Sequence, residues 1–260
     1  MMSHVSFSEL KIWDECAWKH KLAYIDGVTS FEGNEYTAFG TAMHSTCERL
    51  VTETGFQGKA KIYFLTEFRD NLKKLPDENA LNIDLIKQMK LQGAILIEYV
   101  LPALKDYFGS YKVYSVEERL YEPIENESEY KFKGFVDLVI QTSDGKHHVI
   151  DWKTCSWGWN SRKKAERMIT YQLTFYKYFF CKKHNLDPDN VETHFALLKR
   201  TAKKNNIEIF RVTSGNKKIK NALNLLYKAL YNIKSKNFVK NKLSCTRGYG
   251  CEFYKTKHCP

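Results

Sequence analysis

The sequence predicts an α/β protein built on a mixed β-sheet, with helices before and after it. Two observations carry this. Hydrophobic periodicity changes from helical to alternating near residue 111, and the alternating stretches are divided by a helical segment, giving strands, a crossover helix and strands again. A third sets the scale: 260 residues, 43% hydrophobic and 14% aromatic, are enough for a substantial core, which excludes disorder as the main state. There is no repeat or low-complexity linker. The chain therefore reads as one domain, 1–260, with a mainly helical part over 1–110, a core over 111–213, and a basic helix with a cysteine-bearing tail over 214–260.

Taken in order, Ser6-Phe7-Ser8-Glu9 fits the capping box and predicts a helix through Leu10, Trp13 and Ala17 to about Tyr24. A second helix follows Phe39-Gly40-Thr41, with His44, Cys47, Glu48 and Val51 on one face. Residues 84–108 form a long amphipathic helix that Pro102 is expected to kink or break. In the first strand Tyr114, Val116, Glu118 and Leu120 share one face, and Ser115, Glu117 and Arg119 the other, which turns Glu118 inward. Strands at 130–142 and 146–153 flank Ser143-Asp144-Gly145. A helix over 163–184, strands at 191–198 and 207–212, and a helix over 216–236 with the stripe Ile219, Leu223, Leu226 and Leu230 complete the chain.

The central hairpin invites a register calculation. A two-residue turn at Asp144-Gly145 would place Asp137 and Asp151 on opposite faces. A three-residue loop, with Gly145 left-handed, sets Thr142 opposite Lys146 and Asp137 opposite Asp151, with Lys153 pointing the same way. Paired carboxylates on adjacent strands repel unless a cation lies between them, and hard divalent ions favour such oxygens. An ammonium beside them is suited to orienting or helping to deprotonate a water, or to stabilising charge on a phosphate.

Gly134-Phe135-Val136-Asp137, then Val149-Ile150-Asp151-Trp152-Lys153-Thr154, then Gln172-Leu173-Thr174-Phe175-Tyr176 resemble, in order and spacing, the PD-(D/E)XK nuclease superfamily, and within it the RecB-like branch. Phe39-Gly40-Thr41-Ala42-Met43-His44 resembles that branch's N-terminal histidine motif. The resemblance implies a restriction-endonuclease-like sheet with an N-terminal helical elaboration. It also implies Asp137, Asp151, the Trp152 carbonyl and His44 as ligands of Mg²⁺ or Mn²⁺, and Lys153 as catalytic lysine. Glu118 matches the upstream acidic position, and Gln172 and Tyr176, sharing a helix face, would position Lys153 or a phosphate. The activity implied is metal-dependent hydrolysis of DNA phosphodiesters, foremost by an exonuclease of recombination, repair or phage DNA processing. A structure-specific or CRISPR-adaptation-type endonuclease and a non-cleaving nucleic-acid-binding module are the rivals.

Seven cysteines without a secretion signal favour reduced thiols or metal ligands over disulfides. AddB-type and CRISPR-associated relatives hold a [4Fe-4S] cluster with one cysteine before the nuclease core and three after it. Cys16 and then Cys245, Cys251 and Cys259 are similar in placement, though spaced C-x₅-C-x₇-C where those relatives show C-x₂-C-x₅-C. Zn²⁺ on the same thiolates is the alternative. Cys47, Cys155 and Cys181 read as buried small hydrophobes.

Charge is regional. Residues 1–130 hold 14 basic and 21 acidic side chains, net −7, whereas 131–260 hold 27 and 9, net +18. Because the second half carries Asp137, Asp151 and Lys153, runs such as Arg162-Lys163-Lys164 and Lys199-Arg200 are expected to lead single-stranded or end-frayed double-stranded DNA to them. Trp157 and Trp159 are candidates for base stacking or for the core. A helicase or recombination protein is a further expected partner. No stretch of 18 apolar residues and no signal peptide is present, so a cytoplasmic location without membrane insertion is expected.

Overall fold

The structure is a computed structural model and describes residues 3–28, 33–76, 81–246, 248 and 250–260. In chain order the elements are β1 (Ser3–Ser6), α1 (Phe7–Glu15), α2 (Ala17–His20), α3 (Glu35–Thr52), α4 (Ala60–Leu72), α5 (Ile83–Phe108), β2 (Tyr111–Pro123), β3 (Tyr130–Thr142) and β4 (His147–Cys155). They continue with α6 (Ser161–Lys164), α7 (Arg167–His184), β5 (Val191–Lys199), β6 (Ile207–Val212) and α8 (Asn216–Lys234). The central sheet is mixed, with helices around it, as the sequence predicts. The chain divides into two compact units. The first comprises Met1–Glu32, Tyr121–Gly134 and Gly215–Pro260; the second comprises Gly33–Leu120 and Phe135–Ser214.

In the first unit, β1 pairs in parallel with Tyr130–Lys133 of β3. The capping box at Ser6 is formed: the Glu9 amide donates to Ser6 Oγ (3.2 Å), and the Ser6 amide donates to Glu9 Oε2 (3.4 Å). The helix it starts does not run unbroken to Tyr24, however. Cys16 is extended (φ −162°) and separates α1 from α2, which passes into a π-helical turn at Lys21–Ile25. The break frees Cys16 from helical packing, and its Sγ accepts from the Asn241 amide at 3.4 Å. Helix α8 buries Ala222, Leu226, Ala229, Leu230 and Ile233, close to its predicted stripe.

In the second unit, β4 is antiparallel to β3 and parallel to β5, and β6 closes the row antiparallel to β5. The parallel β4–β5 pair needs a crossover, which α7 supplies. Leu138, Ile140, Ile150, Trp152, Ala196 and Leu198 share one sheet face and join α3, α4 and α5 in a buried core. Helix α4 was not legible as a separate element. Its Phe64 and Phe68 stack at 5.8 Å and meet Phe39 of α3 edge-on at 5.5 and 5.7 Å, contacts worth about 0.5–1.5 kcal/mol each beyond burial. Gly93 of α5 makes the packing possible, because a Cβ there would stand 2.2 Å from Phe64 Cζ.

Pro102 does not break α5. It is exposed, as is Glu98, whose carbonyl loses its partner, while Val100 and Leu104 are buried on the inner side and keep the helix continuous. The helix expected from residue 163 is instead two, α6 and α7, divided at Ala165–Glu166.

Candidate active site

The β3–β4 connection is the three-residue loop Ser143-Asp144-Gly145. Thr142 and Lys146 close it through Thr142 N–H to Lys146 O (3.0 Å), and Gly145 is left-handed at φ 83°. The ladder then runs Gln141 opposite His147 through Leu138 opposite Ile150, so its next step brings Asp137 beside Asp151. The Trp152 amide donates to Asp137 Oδ2 at 2.8 Å, fixing one carboxylate against the strand that carries the other.

Asp151 is 1% exposed. Its buried Oδ2 is ion-paired with Lys153 Nζ at 2.5 Å and has no other partner among the described residues. Burial pushes its carboxyl up to about 6, against the pull of Lys153, and Asp137 adds to the rise. His44, on α3, brings Nδ1 to 3.5 Å from Asp137 Oδ2. Burial disfavours its imidazolium, but Asp137 and Asp151 outweigh this and raise its pKa. Two neighbouring carboxylates, one of them buried, next to an imidazole form a donor set that fits a divalent cation, which would offset the burial of Asp151 and its repulsion by Asp137.

On α7, Gln172 Nε2 donates to Tyr176 Oη at 3.2 Å. Tyr176 is buried, and burial followed by the Asp151 and Asp137 charges raises its phenol above the ordinary value. The pair thus stands within the field of the carboxylates.

Glu118 is buried, as strand alternation predicts, but it does not face this group. Its carboxylate accepts from Lys183 Nζ at 2.9 Å and pairs with Ser115 and His184, away from Asp137. The reason is local: Glu117 is left-handed (φ 45°), which breaks the alternation of β2 so that Val116 packs on the α3–α5 core. Glu117 takes the place instead. Its side chain is exposed at the surface, and its carboxyl is raised by partial desolvation and then by Asp137 and Glu48, with His44 opposing. Glu48, one turn beyond His44, is an additional acid in this field. The helical spacing of His44 and Glu48 was legible; the bulge was not.

The basic half is not uniformly a groove. Lys199 and Arg200 are buried: Lys199 pairs with Glu208 at 3.3 Å, and Arg200 donates to Gln92 (2.8 Å) and Ser156 (3.2 Å). Trp159 packs on Phe195 and Phe210 at 5.1 and 6.2 Å, whereas Trp157 is 78% exposed.

In the first unit Cys16, Cys245, Cys251 and Cys259 all line one cavity of about 450 Å³, and none is in a disulfide. Among the described residues no three of their sulfurs lie within 4.8 Å of one another. The edge of a ZnS₄ tetrahedron is about 3.8 Å, so the thiols are spread more widely than zinc gathers them. A cubane cluster separates its ligands further.

A β-hairpin carrying Asp137 opposite Asp151-x-Lys153, on a mixed sheet flanked by helices, defines the class of metal-dependent nucleases built on this sheet. The family model of the PD-(D/E)XK nuclease superfamily matches residues 4–258, and the chain belongs to that superfamily. Among solved structures, a crystal structure of a candidate exonuclease from Eubacterium rectale aligns over 97% of this chain and 86% of its own, with 13% identity and a TM-score of 0.60, a likeness of fold. The structure of SSO0001 aligns over 91% of each chain at 17% identity, with a TM-score of 0.38. A search of curated proteins found no match. The protein is therefore a hydrolytic nuclease whose substrate class is nucleic acid, and its superfamily uses divalent metals. Among the described residues no helix is long and apolar enough to cross a membrane.

Proposed function

We propose that the protein is a metal-dependent DNA exonuclease of the RecB-like branch, acting on single-stranded or end-frayed DNA in recombination, repair or phage DNA processing. The observation that supports this best is the convergence of Asp137, Asp151 and Lys153 on one hairpin, with His44 3.5 Å from Asp137. Asp137, Asp151, the Trp152 carbonyl and His44 hold Mg²⁺ or Mn²⁺. Such an ion supplies positive charge to the scissile phosphate and lowers the pKa of water. Lys153 orients the attacking water and hydrogen-bonds the phosphate, Gln172 and Tyr176 keep Lys153 and the phosphate in register, and Glu117 takes the upstream acidic role expected of Glu118. Exposed Trp157, four residues past Lys153, offers a stacking face to an unpaired base.

Cys16, Cys245, Cys251 and Cys259, which line one cavity, hold a [4Fe-4S] cluster in this reading, with Zn²⁺ on the same thiolates the alternative. The enzyme works in the cytoplasm of a bacterium or of a phage host, alone or with a helicase or recombination partner.

Linear end-labelled DNA and covalently closed circular DNA, each with Mg²⁺ and with Mn²⁺, test the proposal. Release of nucleotides from the linear substrate only is expected. Asp151→Ala and Lys153→Ala should lower the single-turnover rate by about 10²-fold or more while DNA is still bound. Cutting of the closed circle would replace the reading with an endonuclease, and binding without cleavage of any substrate with either metal would replace it with a binding module.

A further inference from the structure

A second cluster of ligating side chains lies in the second unit, on the sheet face opposite to Asp151 and Lys153. In the parallel ladder His148 stands beside Glu192, and Ile150 beside His194. All three ligating side chains therefore leave the face that carries Ile150, Trp152 and Ala196 further along the strands. His148 Nδ1 is 3.0 Å from His194 Nε2, and Glu192 Oε2 is 3.9 Å from each of those nitrogens. In a tetrahedral zinc site the ligand atoms stand about 3.3–3.5 Å apart. Shifts of roughly half an ångström would bring the three donors onto one ion.

The surroundings orient each donor. Glu192 Oε1 is engaged by Arg211 Nη2 at 3.3 Å and Lys146 Nζ at 3.6 Å, which leaves Oε2 on the histidine side. The other nitrogen of His148, Nε2, lies 3.0 Å from Thr142 Oγ1, the kind of outer contact that sets the tautomer of a ligating imidazole. His194 is 2% exposed, its buried Nδ1 has no hydrogen-bond partner, and its ring is clamped edge-on by Tyr107 and Phe108 at 5.6 and 5.0 Å. The three donors face a cavity of about 540 Å³, which leaves room for water at a fourth position.

We propose that His148, Glu192 and His194 bind a late first-row divalent cation, Zn²⁺ foremost, at a site separate from the carboxylates of the β3–β4 hairpin. Two imidazoles and one carboxylate are a borderline donor set that favours Zn²⁺ over Mg²⁺, the reverse of the oxygen-rich hairpin site. The competing account is a His–His hydrogen bond beneath a Glu192–Arg211–Lys146 network that binds no metal.

The test uses the full chain stripped by chelator, with Co²⁺ alone or Zn²⁺ alone as the probe and excess Mg²⁺ present to fill the hairpin site. Co²⁺ should give the visible bands of a four-coordinate nitrogen–oxygen site, distinct from the sulfur-to-cobalt charge transfer of the cysteines, and these bands should persist in Cys251→Ser. His148→Gln and Glu192→Gln should lose the bands and weaken Zn²⁺ binding by at least about tenfold. A wild-type spectrum containing only thiolate bands, or Zn²⁺ binding unchanged in both variants, overturns the proposal. The wild-type cobalt spectrum decides the question even if a variant does not fold.

Discussion

Glu117 and Glu118 are adjacent acids whose surroundings give them different tasks. Glu117 shares the field of Asp137, Asp151 and His44, and a left-handed non-glycine residue costs about 1–2 kcal/mol, which the packing of β2 must offset. Glu118 is tied to Lys183, His184 and Ser115. Glu117→Gln should therefore slow metal-dependent cleavage with little change in unfolding midpoint, while Glu118→Gln should do the converse, at about 1 kcal/mol; parallel cleavage assays and urea titrations separate the two. Burial alone would raise Glu118, but its hydrogen bonds outweigh that and hold it below its ordinary 4.5. A depressed acid stabilises the fold above its unfolded pKa, and that contribution disappears as the pH falls from about 4.5 through the lower folded value. The stability gap between wild type and Glu118→Gln should accordingly be full at neutral pH and close in acid, as followed by urea unfolding across that range. A gap independent of pH would mean that the ion pairs do not form.

Among the elements, α5 shows how a single side-chain atom constrains helix packing. A Cβ at position 93 would meet the Phe64 ring at 2.2 Å, so Gly93→Ala should cost about 1–3 kcal/mol through displacement of α4, visible as a lower midpoint in chemical denaturation at unchanged slope. The three-residue loop between β3 and β4 acts similarly on the candidate site, since one residue more or less would turn Asp137 to the other face. The sequence narrowed that loop to two or three residues at Ser143-Asp144-Gly145, because turn chemistry is local, and the structure fixed it at three. The continuity of α5 past Pro102 was not readable, because it depends on Val100 and Leu104 being buried against other parts of the chain.

At the scale of the whole molecule, residues from both ends of the chain line the cysteine cavity. A metal centre held by Cys16 and the three C-terminal cysteines would staple the termini of the first unit, so Cys251→Ser should give a colourless protein with a lower thermal midpoint in aerobic and anaerobic preparations alike. A brown Cys251→Ser protein would remove that residue from the ligand set. The charge split sharpens in the same way: part of the +18 over residues 131–260 is internal, with Lys199 and Lys183 paired and Arg200 buried, so less of it is available to a phosphate backbone than the count suggests.

The sequence alone determined the α/β class and the groupings of Asp151 with Lys153 and of Gln172 with Tyr176, because periods of 2 and 3.6 residues decide which near neighbours share a face, whereas the hairpin register was narrowed to two choices that the structure resolved. Only the tertiary structure decided that Glu117 and not Glu118 enters the site, that His44 reaches Asp137, and that His148, Glu192 and His194 converge. Those outcomes depend on a bulge and on contacts between residues far apart in the chain, and no local pattern encodes either.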